Sequence, residues 1–424
     1  MTLVGPYEQR KFCSLCRSTS IEKVISLADT PLANEFVPAQ YANVVQQVFP
    51  LSLALCFECG HLQIEQLVDP GRLFSSYVYA TATSQLTIKH IKEQAVAMAK
   101  RGLVDKNWLC VEIGSNDGSM LLELRTQYGM RILGIDPAES IVDKANEKGI
   151  TTMKAFFSTT IAKEIVATLG LVDLVVANNV FAHAADLLDI ALGVKSLLSL
   201  KGTFVFEVAH LLDFAESSVW DTIYHEHFSY HTVVPLDKMF RSIGMHIFDV
   251  ERISGQVGRG SLRVYVRHGD SAEVPMPVAA LMGDEVSAGL FEPQFYVKLK
   301  QKIERQKDIA FSHLDFMSKR YLMAGYGAPA KMTTLMYQFG LGKEHSAYVV
   351  DDSQWKVGLL TPGKHIPIYT PEVLEYETPG VLVIYAWNFA SDIMKRYAEL
   401  AARRGMRFII PMPHYQEIES GRNG

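Results

Sequence analysis

Eight consecutive residues, Tyr224-His225-Glu226-His227-Phe228-Ser229-Tyr230-His231, bring three imidazoles, two phenols and a carboxylate together along the chain. Packing alone does not ask for such density. Two chemistries could use it. A metal site needs converging ligands, but in an extended His-Glu-His the carboxylate points away from both imidazoles. Proton transfer asks less: a His or Tyr whose pKa is tuned by Glu226. The segment reads as acid–base machinery, with a solvated polar turn as the plain alternative.

A second chemistry lies near the N-terminus. Cys13-x-x-Cys16 and Cys56-x-x-Cys59 are paired knuckles about 40 residues apart. Four thiolates so spaced make a tetrahedral zinc site with no open position, hence structural. An iron–sulfur cluster would call for a closer run of cysteines. Gly60 suits the tight turn behind the second knuckle. The fifth cysteine, Cys110, falls in an apolar run and is expected in the core.

A third signal is Val111-Glu112-Ile113-Gly114-Ser115-Asn116-Asp117-Gly118, an apolar strand running into a glycine turn and then a helical pattern. This is a nucleotide-binding βα crossover, in which Gly114 and Gly118 let a ligand approach the backbone. Eighteen residues after Gly118 stands Asp136, at the tip of the next apolar run, where a ribose diol would be held. The pattern is Gly-x-x-x-Gly, without the Gly-x-Gly of dinucleotide folds. Glu112, Asp117 and Asp136 would form an acidic rim, suited to a cationic or neutral ligand more than to a pyrophosphate. S-adenosylmethionine (SAM), a sulfonium bearing an adenosine, fits.

The elements that position these groups are set by periodicity. A helix through Leu86–Lys100 precedes the glycine turn. Val172–Ala177 is a buried strand that delivers Asn178, Asn179 and His183 to the ligand edge, and Gly202–Val208 delivers Glu207 and His210 to the same edge. Between the cysteines and this unit, Tyr77 and Tyr79 lie in a hydroxyl-rich run that could line a polar, sugar-like ligand or form a half-buried strand. Residues 285–320 read as one long helix.

Beyond it, Gly325-Tyr326-Gly327-Ala328-Pro329-Ala330-Lys331 is a Gly-x-Gly-x-x-Ala turn between strand and helix. From the residues alone it is a phosphate cradle for NAD or another nucleotide diphosphate, with Lys331 adding charge. Asp351-Asp352 comes next at the distance of a ribose contact, and Val381–Tyr385 delivers Trp387 and Asn388 to the same edge.

A chain of 424 residues exceeds one core. The expected organisation is α/β: residues 1–75 a zinc-binding domain, 76–255 a SAM-binding domain, 256–424 a second doubly wound unit. Hydrophobic content of 48%, charged content of 21% and a net charge of −5 suit a soluble globular protein without a nucleic-acid partner. No apolar run spans a bilayer and the N-terminus lacks a signal-peptide core, so a cytoplasmic protein, monomeric or weakly self-associating, is expected.

In this order, Cys13/Cys16/Cys56/Cys59, Glu112–Gly118, Tyr224–His227 and Gly325–Lys331 resemble the sugar C-methyltransferases that act at C-3 of nucleotide-linked 4-keto-deoxyhexoses. The distal runs Asp351-Asp352, Pro362–Pro367 and Ala386-Trp387-Asn388 look like that family too, and the likeness covers nearly the whole chain. It implies a small zinc domain, a central Rossmann-like SAM domain, and a C-terminal Rossmann-like domain holding the sugar nucleotide, which overrides NAD. It further implies that Tyr79 or Tyr77, His183, Tyr224, Glu226 and His227 are active-site side chains. One departure stands out: Gly258-Arg259-Gly260-Ser261 replaces the His-Gly-Gly-Ser expected there, which bears on sugar or nucleotide preference.

That chemistry accounts for the residues. A 4-ketone makes the C-3 proton removable, so a base (His227 or Tyr224) must take it while a donor such as His183 steadies the oxyanion. The rivals are C-5 or O-methylation of a similar sugar, an NAD-dependent sugar oxidoreductase, and a non-catalytic binding protein.

Overall fold

The computed structural model describes residues 7–74, 85–253 and 260–419. The chain divides into two compact units. One comprises Met1–Lys23, Ala54–Phe214 and Phe228–Glu292; the other comprises Val24–Leu53, Ala215–His227 and Pro293–Gly424. Both draw on separated stretches of chain.

The first unit is built on a seven-stranded sheet. Its strands are β1 (Leu109–Ile113), β2 (Arg131–Asp136), β3 (Thr152–Lys154), β4 (Val172–Asn178), β5 (Leu198–Ala209), β6 (Met245–Ile253) and β7 (Ser261–His268). Their spatial order is β6-β7-β5-β4-β1-β2-β3. All pairings are parallel except those of β7, which runs antiparallel to β5 and β6. The centre reads as continuous apolar sequence because helices cover both faces. Leu174, Val175, Val176 and Ala177 of β4 are each fully buried, and one such side chain contributes roughly 2 kcal/mol. Cys110 is a core residue, paired in register with Leu174.

Helices α1 (Gln85–Lys100), α2 (Ser119–Tyr128), α3 (Glu139–Glu147), α4 (Thr159–Leu169) and α5 (Leu187–Leu197) alternate with the parallel strands. Because β2 and β4 flank β1 on opposite sides, the chain reverses its winding at β1. The crevice at the carboxyl ends there is where such sheets bind ligands.

The helix expected over 285–320 is two helices, α6 (Met276–Ser287) and α7 (Pro293–Ser318). The apolar period continues across 288–292, but Gly289 takes a φ of +73° and Pro293 opens a new first turn.

The second unit has a six-stranded sheet of β8 (Met323–Tyr326), β9 (Val349–Val350), β10 (Ile368–Tyr369), β11 (Val381–Ile384), β12 (Arg407–Ile410) and β13 (Gln416–Glu419). The order β10-β9-β8-β11-β12-β13 is parallel up to the antiparallel β13. Its central strand, β8, leads through the second glycine turn into α8 (Ala330–Phe339), and α9 (Ala390–Arg404) comes after β11. Among the described residues no helix is long and apolar enough to cross a membrane.

Candidate active site

The first unit holds a cavity of about 820 Å³ at the carboxyl ends of β1, β2, β4 and β5. Of the residues expected there, Glu112, Gly114, Asn116, Asp136, Asn178, Asn179 and His183 line it. The turn leaves no room for a larger residue at its apex. Gly114 has a φ of +64°, and a Cβ there would lie 2.4 Å from Cγ2 of Val180. The loop's own amides are engaged. Those of Gly114 and Ser115 donate to the carbonyl of Ile135 at 2.7 and 3.1 Å, and that of Asn116 to Oδ2 of Asp136 at 3.0 Å.

The acidic rim is partly as expected. Glu112 and Asp136 line the cavity with Asp186 and Asp189, but Asp117 does not. Its carboxylate accepts from the Ser119 hydroxyl at 2.6 Å and pairs with Lys148, so it serves the start of α2 beside Gly118. Burial, reinforced by Asp117 and Asp136, holds the Glu112 carboxyl well above the usual range. Among the described residues its Oε2 has no hydrogen-bond partner. Burial also raises Asp136, against the amides of Ala138 and Asn116. No Lys or Arg lines the cavity among the described residues. A cationic sulfonium nucleoside suits such a lining, and a pyrophosphate does not.

Two groups that the sequence pattern did not single out also line the cavity: His90 and Gln94, four apart on α1. Polar residues one turn apart beside the buried Ile91, Ala95 and Met98 were the available signal. His210, expected at the same edge, does not line it. Both its nitrogens are taken, Nδ1 by Asp213 at 3.0 Å and Nε2 by Glu285 at 2.9 Å.

In the second unit, residues 224–227 form a turn; the His227 amide donates to the Tyr224 carbonyl. The turn comes directly after a short helical stretch, Trp220–Thr222, and is tied to α8 by the Thr334 hydroxyl donating to the Ile223 carbonyl at 2.7 Å. Nδ1 of His227 lies 2.8 Å from the Thr222 carbonyl, and Nε2 lies 2.8 Å from the Tyr224 hydroxyl. A carbonyl can only accept, so Nδ1 carries the proton and Nε2 presents its lone pair to the phenol. The pairing leaves Nε2 able to accept the phenolic proton.

Glu226 is buried and accepts from the Asn34 amide at both oxygens, 2.8 and 2.9 Å. Burial pushes its carboxyl up to about 7 against that bond. His225 donates to the Pro50 carbonyl and packs on Phe49; burial pulls it down to about 4. His231, in the first unit, is likewise brought by burial to about 4. Two of the three histidines are thus neutral core residues. Thr222 and Asn34 carried no sequence signal, since one acts through its backbone and the other lies far along the chain.

The second glycine turn gathers the remaining residues. Nζ of Lys331 sits 3.5 Å above the Trp387 ring and donates to Oδ1 of Asn388 at 2.9 Å. Burial lowers Lys331 to about 8 against the attraction of Asp221. Asp221, which no motif marked, is buried; its Oδ2 accepts from the Trp387 indole at 2.7 Å. Asp351 accepts from the Ala328 amide at 2.7 Å and the Ser353 amide at 2.8 Å. The loop amide that a dinucleotide pyrophosphate would use is therefore engaged. Tyr326 is buried, donating to Asp352 and accepting from Arg396. Tyr77, Tyr79 and Arg259 lie outside the described residues.

The four cysteines converge. Sγ of Cys13 lies 3.6 Å from that of Cys59, Sγ of Cys16 lies 3.6 Å from that of Cys56, and all four fall within 4.8 Å of one another. A tetrahedron with 2.3 Å Zn–S bonds has edges of about 3.8 Å, so the cage fits zinc. Each knuckle closes through a left-handed residue, Arg17 or Gly60.

A doubly wound sheet with an acid-rimmed cavity at its switch point, beside a four-cysteine zinc cage, defines a zinc-binding, SAM-dependent methyltransferase. Three family models match: a methyltransferase zinc binding domain over residues 13–74, a methyltransferase domain over 88–249, and a C-methyltransferase C-terminal domain over 256–413. The chain is 32% identical over 421 residues to the C-methyltransferase NovU of Streptomyces niveus, covering 99% of this chain and 98% of that one. The chain belongs to this C-methyltransferase family. Among solved structures it is similar to the magnesium protoporphyrin IX methyltransferase ChlM of Synechocystis with bound SAM, at 15% identity and TM-score 0.32 over 43% of this chain and 79% of that one. It is similar also to the CcbJ methyltransferase of Streptomyces caelestis, at 15% identity and TM-score 0.34 over 42% and 90%.

Proposed function

We propose that this C-methyltransferase acts on a nucleotide-diphosphate-linked 4-keto-deoxyhexose, methylating C-3 through an enolate. The observation that carries the reading is the Tyr224–His227 pair, with its tautomer fixed by Thr222. Carbon beside a ketone becomes a nucleophile only on losing a proton. As the C-3–H bond breaks, the proton passes to the Tyr224 oxygen while the phenolic proton moves to Nε2 of His227; the electron pair enters the enolate. The enolate carbon then attacks the SAM methyl group, the C–S bond breaks, and S-adenosylhomocysteine leaves. Glu226 sets the charge of the segment, and His183 steadies the oxyanion on O-4. Lys331, at the first turn of α8, holds the diphosphate with Trp387 and Asn388, while Glu112, Asn116 and Asp136 hold SAM.

The test is deuterium exchange at C-3 in heavy water with 4-keto nucleotide sugars carrying dTDP, GDP or CDP, without SAM. C-methylation requires exchange at C-3 that Tyr224→Phe and His227→Asn abolish. Wild-type exchange in both variants, exchange at C-5, or a methylated hydroxyl in the product would each overturn the reading.

A further inference from the structure

A methyl donor of the SAM type carries two positive centres and one carboxylate, and the acidic lining answers only the first two. We propose that His90 receives the carboxylate of the donor's amino-acid tail, with Glu207 as its positioning partner. The inference rests on the cavity being the donor site.

Few other groups could take that carboxylate. The amides of Gly114, Ser115 and Asn116 already donate within the protein, as does that of Asp117, to Oδ1 of Asn116. No Lys or Arg lines the cavity among the described residues, so His90 and His183 are the lining groups able to carry positive charge. Of these, His90 has a carboxylate built behind it. Its Nε2 lies 2.8 Å from Oε1 of Glu207, whose Oε2 accepts two bonds from Arg263 at 2.9 and 3.1 Å. Both Glu207 and Arg263 are buried. Burial opposes the charge on Glu207, but His90 and Arg263 outweigh it and hold the carboxyl below its usual range. An ionised Glu207 only accepts, so Nε2 of His90 carries a proton, and Nδ1 is the ring nitrogen left to meet a ligand carboxylate. An imidazolium donates from both nitrogens, and its bond to a carboxylate is charge-assisted.

The placement agrees. Asp136 ends β2 and Glu207 lies near the end of β5, three strand spacings away, about 14 Å. A ligand whose ribose meets Asp136 would extend its tail along the sheet edge past β1 and β4 towards His90.

The experiment is calorimetric binding of SAM and of decarboxylated SAM to the zinc-loaded full chain, for wild type, His90→Ala, His90→Gln and Asp136→Ala. Wild type is expected to prefer SAM. Both His90 variants should weaken SAM about tenfold to a hundredfold and decarboxylated SAM by less than about threefold. The glutamine can still donate to Glu207, which guards against a packing effect. Equal losses for the two ligands, or none, would overturn the proposal, as would a carboxylate-selective loss in His183→Ala with His90 variants unaffected. Asp136→Ala should weaken both ligands alike; if it weakens neither, the cavity is not the donor site and the premise fails, not the pairing.

Discussion

The two glycine turns of this chain share a design and differ in what they offer a ligand. In each, the next strand's carbonyl binds a glycine amide: Ile135 takes Gly114, and Val350 takes Gly327. In each, the aspartate at that strand's tip takes an amide further on: Asp136 takes Asn116, and Asp351 takes Ala328. The backbone is thus closed on itself in both, and neither loop has these amides left for a phosphate. The surroundings of the two turns differ. The first opens on an acidic cavity of about 820 Å³ with an unpartnered oxygen on Glu112. Beside the second, the cleft lined by Ala328, Met332 and Lys364 is about 10 Å³, and Lys331, at the start of α8, stands over the Trp387 ring. The same fold element serves a cation in one unit and, in the proposed reaction, an anion in the other. Side chains and not the turn decide the ligand.

If that contrast holds, each unit can be disabled alone. The largest effect is expected in the second. Tyr224→Phe and His227→Asn should each lower kcat by about two to four orders of magnitude, the usual worth of a positioned acid or base. SAM affinity, measured calorimetrically, should stay within about twofold of wild type, since neither side chain lines the donor cavity. A large loss of SAM affinity in either variant would break the division.

The converse belongs to the first turn. Gly114→Ala places a Cβ 2.4 Å from Val180 at a φ of +64°, and strain of about 1–3 kcal/mol should cost SAM roughly tenfold or more in affinity. C-3 exchange without SAM should survive it. Gly327→Ala makes a similar clash, 2.6 Å from Cβ of Ala386 at a φ of +83°, so thermal stability should fall while SAM affinity does not.

The sequence was informative where spacing alone fixes chemistry. Two Cys-x-x-Cys pairs can do little else than converge, and an apolar strand before Gly-x-x-x-Gly reads directly as the first βα crossover. Glu112 and Asp136 were legible because strand ends face the ligand edge in any parallel sheet. It misled where density stood in for geometry. The segment holds three histidines, yet burial keeps His225 and His231 neutral, which no count of residues reveals. The bond that orients His227 comes from a backbone carbonyl, and Glu226 turns to Asn34, some 190 positions away. The long helix over 285–320 failed because one residue with positive φ outweighs an unbroken apolar period. Asp117 and His210 failed similarly: each is a charged or titratable group near a strand end that its own neighbours satisfy.

Lys331 gives a smaller effect, with a sign that pH can read. The ammonium is present below about 8 and lost above it, so nucleoside diphosphate affinity should fall as pH rises from 7 to 9. Lys331→Arg stays charged and should flatten that profile, whereas Lys331→Gln should weaken binding about tenfold at pH 7. A profile unchanged in Lys331→Gln would remove this lysine from the anion site.

The smallest effect separates the two aspartates. Asp351→Asn keeps one accepting oxygen but turns an NH₂ towards either the Ala328 or the Ser353 amide, losing one bond and facing donor with donor. The expected cost is about 1–2 kcal/mol in stability, read as a lower denaturation midpoint. Asp136→Asn meets the same conflict between the Asn116 and Ala138 amides. It should lose similar stability but also SAM affinity, because Asp136 lines a cavity. Since the bonds to the backbone match, any difference between the two variants in ligand affinity measures what each aspartate gives to a ligand beyond holding its loop. Nucleotide binding that weakened in Asp351→Asn by more than its stability loss would mean that the second turn, too, meets its ligand through that carboxylate.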